Sequence, residues 1–355
     1  MPYLVMRFLL SVFLCFSFFM MPPGIVSGAS GNDDELSFDD AFASGFDDAP
    51  RQREIIYPDW FKHSFLDLRE DLKEALQNGK KGIALYFGQK NCAYCKALME
   101  VNFKKPDLVR MVRDNFDIIP LDIWGSRRLT MMDGSKITEK ELALQLKTNF
   151  TPSLVFFDAG GKIIFKMRGY YKLYRFQAMM DYLVEGFYKK ESFRDYLERA
   201  DPPPRFDEDD LNELAEALPG PVILDRRAAA GQKPLAVLFE QRKCHACDQL
   251  HSDPLHNAVT KKILDKFEVR QLDAWSDTPV ITPRGEKVTA RQWAKKLNIY
   301  YFPTIVFFDQ RGNEIDRIDS VVKLYRLRNI LNYIATDGYR HFKSFQHWRR
   351  YTPFN

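Results

Sequence analysis

The chain reads Gly82-Ile-Ala-Leu-Tyr-Phe87 and, five residues later, Cys92-Ala-Tyr-Cys95. The first run is short and apolar, which is typical of a buried strand. The C-x-x-C pair then begins a helix, where unpaired backbone N–H groups and the positive end of the helix dipole favour a thiolate over a thiol. This order of strand, C-x-x-C and helix predicts an α/β domain whose two cysteines can close a small disulfide ring.

The sequence contains a second copy of this arrangement. In a register of 151 residues, Asp122-Ile-Trp124 matches Asp273-Ala-Trp275, and Lys172-Leu-Tyr-Arg175 matches Lys323-Leu-Tyr-Arg326. The second pair, Cys244-His-Ala-Cys247, is offset by 152 residues, so one insertion or deletion separates it from the other matches. Two copies of about 150 residues are tandem domains, because the units of a solenoid are much shorter.

Length and composition fit two globular domains. The 355 residues are 45% hydrophobic and 28% charged, which excludes a disordered, collagen-like or multi-span membrane chain. The 52 Lys and Arg residues nearly balance 48 Asp and Glu residues, so the net charge of +4 does not indicate nucleic acid as a partner. No Gly-rich phosphate loop or Ser-His-Asp pattern stands out, and we predict no cofactor.

The first 29 residues predict a signal peptide. Residues 8–21 form an uncharged apolar run after Arg7, and Ser27-Gly-Ala29 supplies the small residues that cleavage needs. We therefore expect a periplasmic or secreted protein, with no stable membrane insertion after cleavage. The alternative is an uncleaved amino-terminal anchor, although fourteen apolar residues are short for a membrane span.

Composition also marks the remaining boundaries. Residues 31–50 hold seven acidic residues and no basic ones, which predicts a solvated linker. Asp201-Pro-Pro-Pro204 begins the connection between the copies, and an acidic stretch from Glu208 to Leu218 predicts a short helix there. The predicted segments are a signal peptide (1–29), an acidic flexible linker (30–58), a first domain (59–200), a linker with a short helix (201–233) and a second domain (234–355).

Local signals define elements within the first copy. Ser64, followed by Asp67, predicts the start of a helix that Gly79 ends. Thr138 and Glu141 predict a capping box at a later helix. The alternation of helices and strands predicts a central sheet with helices on both faces.

A proline follows each C-x-x-C pair by about sixty residues, in Thr151-Pro152 and in Phe302-Pro303. Each stands at the start of a predicted strand, where Pro is tolerated. A cis bond at this position would bring the loop beside the cysteines. The second copy has Phe302 where the first has Thr151, and this larger side chain should narrow the groove beside the second disulfide.

These features resemble the thioredoxin fold, present twice. More narrowly, Phe65-Leu-Asp-Leu-Arg-Glu-Asp71, Tyr86-Phe-Gly-Gln89 and Leu121-Asp-Ile-Trp-Gly125, with the first C-x-x-C pair, resemble the periplasmic thioredoxin-like proteins of the SoxW type. The resemblance is close over residues 60–200 and looser over residues 205–350. It implies an α/β chain of two tandem thioredoxin-like domains, each a central mixed sheet flanked by helices.

The resemblance also implies an activity, thiol-disulfide exchange with protein thiols and disulfides, more as a reductase than as an oxidase. A membrane or periplasmic redox partner would recycle the protein. The implied roles are nucleophile for Cys92 and Cys244, resolving thiol for Cys95 and Cys247, and substrate contact for Thr151, Pro152, Phe302 and Pro303.

Two departures affect the mechanism. Cytosolic thioredoxins have a buried Asp six residues before the first cysteine, where this chain has Tyr86 and Leu238, so neither copy has that carboxylate. Proton transfer at Cys95 and Cys247 should therefore use water or another group. Arg242, Lys243 and His245 flank the second nucleophile, although Asp248 opposes them. These cations predict a lower thiol pKa and a more oxidising potential for the second pair.

Alternatives to redox chemistry stay open. Cys244, Cys247 and His251, with His256 or Asp248, could bind a metal ion, although the two pairs lack the spacing of one four-cysteine zinc site. The disulfides could be purely structural, or the chain could be a non-catalytic scaffold of thioredoxin folds.

Other repeated residues have simpler interpretations. We expect Trp124 and Trp275 to be packing residues. The basic residues Lys172, Arg175, Lys323 and Arg326 are predicted to form solvated helix starts. The tail from Tyr339 to Arg350, whose counterpart begins at Ser192-Phe193, predicts an amphipathic helix.

Overall fold

The computed structural model describes residues 46–49, 52–148, 150–200 and 211–352. The predicted signal peptide, residues 1–29, lies outside these residues, as does much of the acidic linker. The elements of the first domain are α1 (Leu68–Gln77), β1 (Gly82–Gly88), α2 (Ala93–Glu100), α3 (Pro106–Asn115), β2 (Phe116–Asp122), β3 (Arg128–Thr130), β4 (Lys136–Thr138), α4 (Glu139–Gln145), β5 (Ser153–Asp158), β6 (Ile163–Arg168), α5 (Leu173–Val184) and α6 (Phe193–Ala200).

The second domain repeats this order with small differences. A π-helical turn, His251–Leu255, follows its C-x-x-C helix. Its elements are β7 (Val222–Ile223), β8 (Leu235–Glu240), α7 (His245–Leu250), α8 (Ala258–Leu264), β9 (Glu268–Asp273), β10 (Pro279–Ile281), β11 (Lys287–Thr289), α9 (Ala290–Lys296), β12 (Thr304–Phe308), β13 (Glu314–Ile318), α10 (Leu324–Ala335), α11 (Gly338–His341) and α12 (Phe345–Tyr351).

Each domain is built on a four-stranded mixed sheet, as predicted. The strand order is β2-β1-β5-β6 in the first domain and β9-β8-β12-β13 in the second. In both sheets one outer strand is parallel to its neighbour, and the other two pairings are antiparallel. Strand β1 is buried along its whole length, which explains its uninterrupted apolar sequence. The C-x-x-C helix follows this central strand directly.

The capping signals are partly confirmed. Thr138 and Glu141 form the predicted capping box at α4. Helix α1, however, begins at Leu68, so the predicted start at Ser64 is wrong. The Asp67 side chain accepts the amide hydrogens of the first turn, whereas the Ser64 hydroxyl donates to Asp71.

The described part of the predicted helix over 208–218 is not helical. Residues 211–218 are irregular apart from a turn at residues 215–216, and tertiary contacts fix this stretch to the second domain. Leu214 is buried in the core of that domain, and the Leu218 amide donates to the Val269 carbonyl at 2.9 Å. Strand β7 then pairs with β10.

The two domains meet through equivalent loops. All described residues belong to one compact unit. Arg168 forms an ion pair with Asp319, which occupies the same position in the second copy. The next two equivalent residues also face each other, since a Cβ atom on Gly169 would collide with the Ser320 hydroxyl. Gly169 has a φ of +79°, which also favours glycine.

Candidate active sites

The first cysteine pair forms a disulfide at the start of α2. Cys92 is the residue that caps the helix, and its Sγ accepts the Cys95 amide hydrogen at 3.0 Å. Cys95 is fully buried, whereas Cys92 is 6% exposed. In the reduced form, the helix N-terminus would stabilise a thiolate on Cys92. This placement fits attack by Cys92 and resolution by Cys95.

The proline loop lies beside this disulfide. The Thr151-Pro152 peptide bond is cis, and the Thr151 Oγ1 lies 3.3 Å from the Cys92 Sγ. The Gln89 amide donates to the same hydroxyl at 2.8 Å. Substrate contact by Thr151 and Pro152 stays a prediction.

The second domain contributes to this site through α12. The Gln346 Oε1 accepts a hydrogen bond from Gln89 at 3.2 Å, so a chain of polar contacts links α12 to Thr151 and the disulfide. The Trp124 indole N–H donates to Gln89 at 3.0 Å, and the His347 ring stacks on Trp124. Trp124 is therefore a packing residue, as expected, but it packs between domains.

Arg326 is a functional neighbour that the sequence analysis missed. We predicted a solvated residue, but Arg326 is only 8% exposed. Its guanidinium lies 3.5 Å from the centre of the Tyr94 ring and donates to the Thr151 carbonyl at 2.8 Å. Burial, partly offset by Tyr94 and Asp48, lowers the pKa of Arg326. Tyr94 corresponds to Ala246 in the second copy, so the repeat carried no signal for this contact.

Part of the predicted flexible linker is fixed over the first site. The Asp48 carboxylate accepts hydrogen bonds from the Tyr94 hydroxyl at 2.8 Å and from the Arg326 amide at 3.0 Å. The Arg53 amide donates to the Asn91 side chain at 3.0 Å. Burial and the Asp48 charge raise the pKa of Tyr94 well above its usual value. These contacts fix the segment around Asp48 and Arg53 to Asn91 and Tyr94, the residues that flank Cys92 and its neighbour.

The second pair has the same local geometry. Cys244 caps α7, and its Sγ accepts the Cys247 amide hydrogen at 3.1 Å within a disulfide. Cys244 is 8% exposed, and Cys247 is buried. The Phe302-Pro303 bond is cis, and the Phe302 ring lies 5.8 Å from the Trp275 ring. Substrate contact by Phe302 and Pro303 stays a prediction.

The cations around Cys244 have partners of their own. Arg242 lies 3.3 Å from Asp273, and the His245 ring contacts the Gln249 amide at 3.0 Å. Lys243 adopts a left-handed backbone conformation with a φ of +50° just before the cysteine. Tuning of the Cys244 pKa by Lys243 and His245 stays a prediction.

The second domain buries a carboxylate close in sequence to its cysteine pair, at a position other than the one that the thioredoxin Asp occupies. Glu240, at the end of β8, is completely buried and accepts a hydrogen bond from Gln271 at 2.6 Å. The His251 ring lies 2.9 Å from the same carboxylate. The Glu240–His251 pair was not predicted, because Glu240 lies four residues before Cys244 whereas the thioredoxin Asp lies six residues before its cysteine.

The sequence suggested His251 as one ligand of an alternative metal site. In the structure, the His251 ring contacts the Glu240 carboxylate instead. The described residues contain no group of three or more His, Cys, Asp or Glu side chains placed to hold a metal ion. That ligand set is not brought together around Cys244.

Helix α6 of the first domain packs against Trp275 of the second domain, just as α12 packs against Trp124 of the first. The Arg194 guanidinium lies 4.5 Å from the centre of the Trp275 ring and donates to the Ile299 carbonyl. Lys295 forms an ion pair with Asp195 at 2.7 Å. Each domain thus places its last helix against the repeated tryptophan of the other domain.

The chain belongs to the thioredoxin-like family. The family model of the thioredoxin-like domain matches residues 68–184 and again residues 225–335. These ranges contain both cysteine pairs and both proline loops.

Several solved structures are similar to parts of the chain. A thioredoxin-fold protein from Helicobacter pylori is 23% identical, with 34% of this chain and 84% of that chain covered and a TM-score of 0.30. A thioredoxin from Thermus thermophilus is 20% identical, with 35% and 85% covered and a TM-score of 0.27. A disulphide isomerase from Xylella fastidiosa Temecula1 is 17% identical, with 39% and 96% covered and a TM-score of 0.24. No curated protein matches the sequence.

Proposed function

We propose that the protein is an exported thiol-disulfide oxidoreductase that acts on protein disulfides through both cysteine pairs. The observation that carries this proposal is the repeated geometry of a disulfide at a helix N-terminus with its first sulfur as the cap. Helix N-termini favour thiolates, and the thiolate is the attacking species in disulfide exchange.

The exchange proceeds in two balanced steps. In the reduced protein, the Cys92 or Cys244 thiolate attacks a substrate disulfide, forms a mixed disulfide and releases one substrate thiolate. The Cys95 or Cys247 thiolate then attacks the sulfur of Cys92 or Cys244 in that mixed disulfide. This attack releases the second substrate thiolate and restores the protein disulfide. Two electrons pass from the protein dithiol to the substrate.

The resemblance to SoxW-type proteins supports the reductase direction. A reductase in an exported compartment needs a membrane or periplasmic donor that returns two electrons to each pair. Export rests on the amino-terminal apolar run, which lies outside the described residues. Within the described ranges, no helix is long and apolar enough to cross a membrane.

The test is a redox titration of the purified protein together with insulin reduction. The Cys92→Ala and Cys244→Ala variants isolate one pair each. A reductase should have potentials near about −270 mV, whereas an oxidant would lie near about −120 mV. Loss of insulin reduction only in the double variant would assign activity to both pairs. Inactive pairs, or stoichiometric metal in the same sample, would instead favour a scaffold or a metal-binding protein.

A further inference from the structure

A cavity of about 340 Å³ opens at Cys92. Its walls come from the residues just before and after the first cysteine, from residues 48–49 and 52, and from α10 and α12 of the second domain. Small-molecule pockets typically measure about 300–1,000 Å³. Because Cys92 lies in this recess and is 6% exposed, a reactant must enter the cavity to reach its sulfur.

The walls of this cavity carry excess positive charge. Lys90, Arg326 and Arg349 line it. In the described part of the chain, Asp48 is the single carboxylate among the lining residues. Three cations therefore face one anion around the disulfide.

Asp48 is already occupied by hydrogen bonds from the protein. Its carboxylate accepts from the Tyr94 hydroxyl and from the amides of Tyr325 and Arg326, at 2.8 to 3.2 Å. The one carboxylate among the described lining residues is thus already engaged by donors of the protein itself.

The guanidinium groups of Arg326 and Arg349 repel each other. Burial and the neighbouring Arg326 charge lower the pKa of Arg349 to about 10, although Asp48 and Tyr94 oppose this. Lys90 and these two arginines against the single carboxylate of Asp48 leave the described lining with a net positive charge, which the carboxylates of a ligand would offset through charge-assisted hydrogen bonds.

We propose that this cavity binds a small thiol or disulfide that carries carboxylate groups, of the size and charge of glutathione, as a substrate of the first cysteine pair. This inference rests on the exchange activity proposed above. The Cys92 thiolate attacks the small disulfide and releases one thiolate, and Cys95 then displaces the second. Two electrons leave the protein dithiol, and two small thiols form.

The experiment compares two disulfides in single-turnover oxidation of the reduced first pair. The protein is the full chain with Cys244→Ala and Cys247→Ala. Glutathione disulfide carries net negative charge, whereas hydroxyethyl disulfide is neutral, and each rate is divided by that of free dithiothreitol with the same disulfide. We expect the normalised rate to be at least about tenfold higher for glutathione disulfide.

Arg349→Gln should lower the rate with glutathione disulfide by about tenfold. The rate with hydroxyethyl disulfide should stay within about twofold of its value in the protein that retains Arg349. Arg340→Gln makes the same charge change outside the cavity and should alter neither rate. Independently of any variant, added salt should slow the reaction of glutathione disulfide alone, because it screens the attraction. This readout keeps the test valid if Arg349→Gln does not fold.

Three outcomes would overturn the inference. Equal normalised rates for the two disulfides would remove the anionic preference. An equal loss of both rates in Arg349→Gln would mean that the arginine only raises the thiolate fraction of Cys92. Reduction of insulin without either small disulfide would assign the site to proteins. Failure with all three substrates would instead contradict the proposed exchange activity itself.

Discussion

The two cysteine sites share their local geometry but differ in what surrounds it. Both first sulfurs accept an amide hydrogen from the second cysteine, at 3.0 and 3.1 Å. Around Cys92 lie the Thr151 hydroxyl and a buried arginine from the other domain. The second site instead has the Phe302 ring and, at the end of β8, the Glu240–His251 pair. After duplication, the surroundings of the cysteines diverged while the helix-capping arrangement stayed.

The largest effect should come from Glu240, where the first copy has Gly88. Glu240→Ala leaves the buried His251 and the partly buried Gln271 without their carboxylate partner, and we expect a loss of about 3–5 kcal/mol in the free energy of unfolding. Glu240→Gln keeps an acceptor and should cost less. Urea denaturation measures both, and equal stability of Glu240→Ala and the unmodified protein would contradict a structural role of this pair.

Arg326 and its counterpart Arg175 provide the next comparison. Arg326→Lys keeps the charge but loses the planar contact with Tyr94, so we expect a loss of about 2 kcal/mol in the free energy of unfolding. Arg175→Lys is the matched control at the equivalent, partly exposed position and should cost under about 0.5 kcal/mol. Similar losses of unfolding free energy in both variants would show that the contact of Arg326 with Tyr94 adds no stability.

Thr151→Val should lower the reduction potential of the first pair by about 30 mV, which corresponds to about 1.4 kcal/mol. The reason is that the Thr151 hydroxyl, 3.3 Å from the Cys92 sulfur, can donate to the thiolate and stabilise the reduced form. The second pair, titrated in the same variant, is the internal control. A shift of both pairs, or of neither, would disagree with this local effect.

The smallest effect concerns His347, whose counterpart is Asp195. Burial, with Lys343 and Arg350, lowers the pKa of His347, so protonation opposes folding. Its contribution to stability is present above about pH 6.5 and is lost as the pH falls. His347→Phe keeps an aromatic ring on Trp124, and it should reduce the difference in unfolding free energy between pH 7.5 and pH 5 by about 0.3 to 0.5 kcal/mol. An unchanged difference would contradict this assignment.

Features that depend on neighbouring residues could be predicted from the sequence. The buried strand β1, the Thr138 capping box and a central sheet in each domain follow from local patterns and from the repeat. The mixed strand directions followed only from the resemblance to the thioredoxin fold. The start of α1 was misplaced because Asp67, not Ser64, supplies the capping oxygen. The Ser64 hydroxyl instead donates to Asp71, a contact that the capping pattern did not predict.

The contacts between domains could not be predicted. Asp48 and Arg326 are separated by 278 residues, and Gln89 and Gln346 by 257 residues. No periodicity or motif joins such distant positions, and a basic residue at a helix start normally lies in solvent. Only the packing of one domain against the other turns Arg326 into a buried neighbour of Cys92.

The contact between Arg168 and Asp319 has a consequence for the origin of the tandem chain. Two identical halves related by a twofold axis would place arginine against arginine, or aspartate against aspartate, at this position. Here a cation meets an anion, and a glycine meets a serine that leaves no room for a second side chain. The halves have become complementary instead of self-complementary, so the interface favours one copy of each half over a symmetric pair of either.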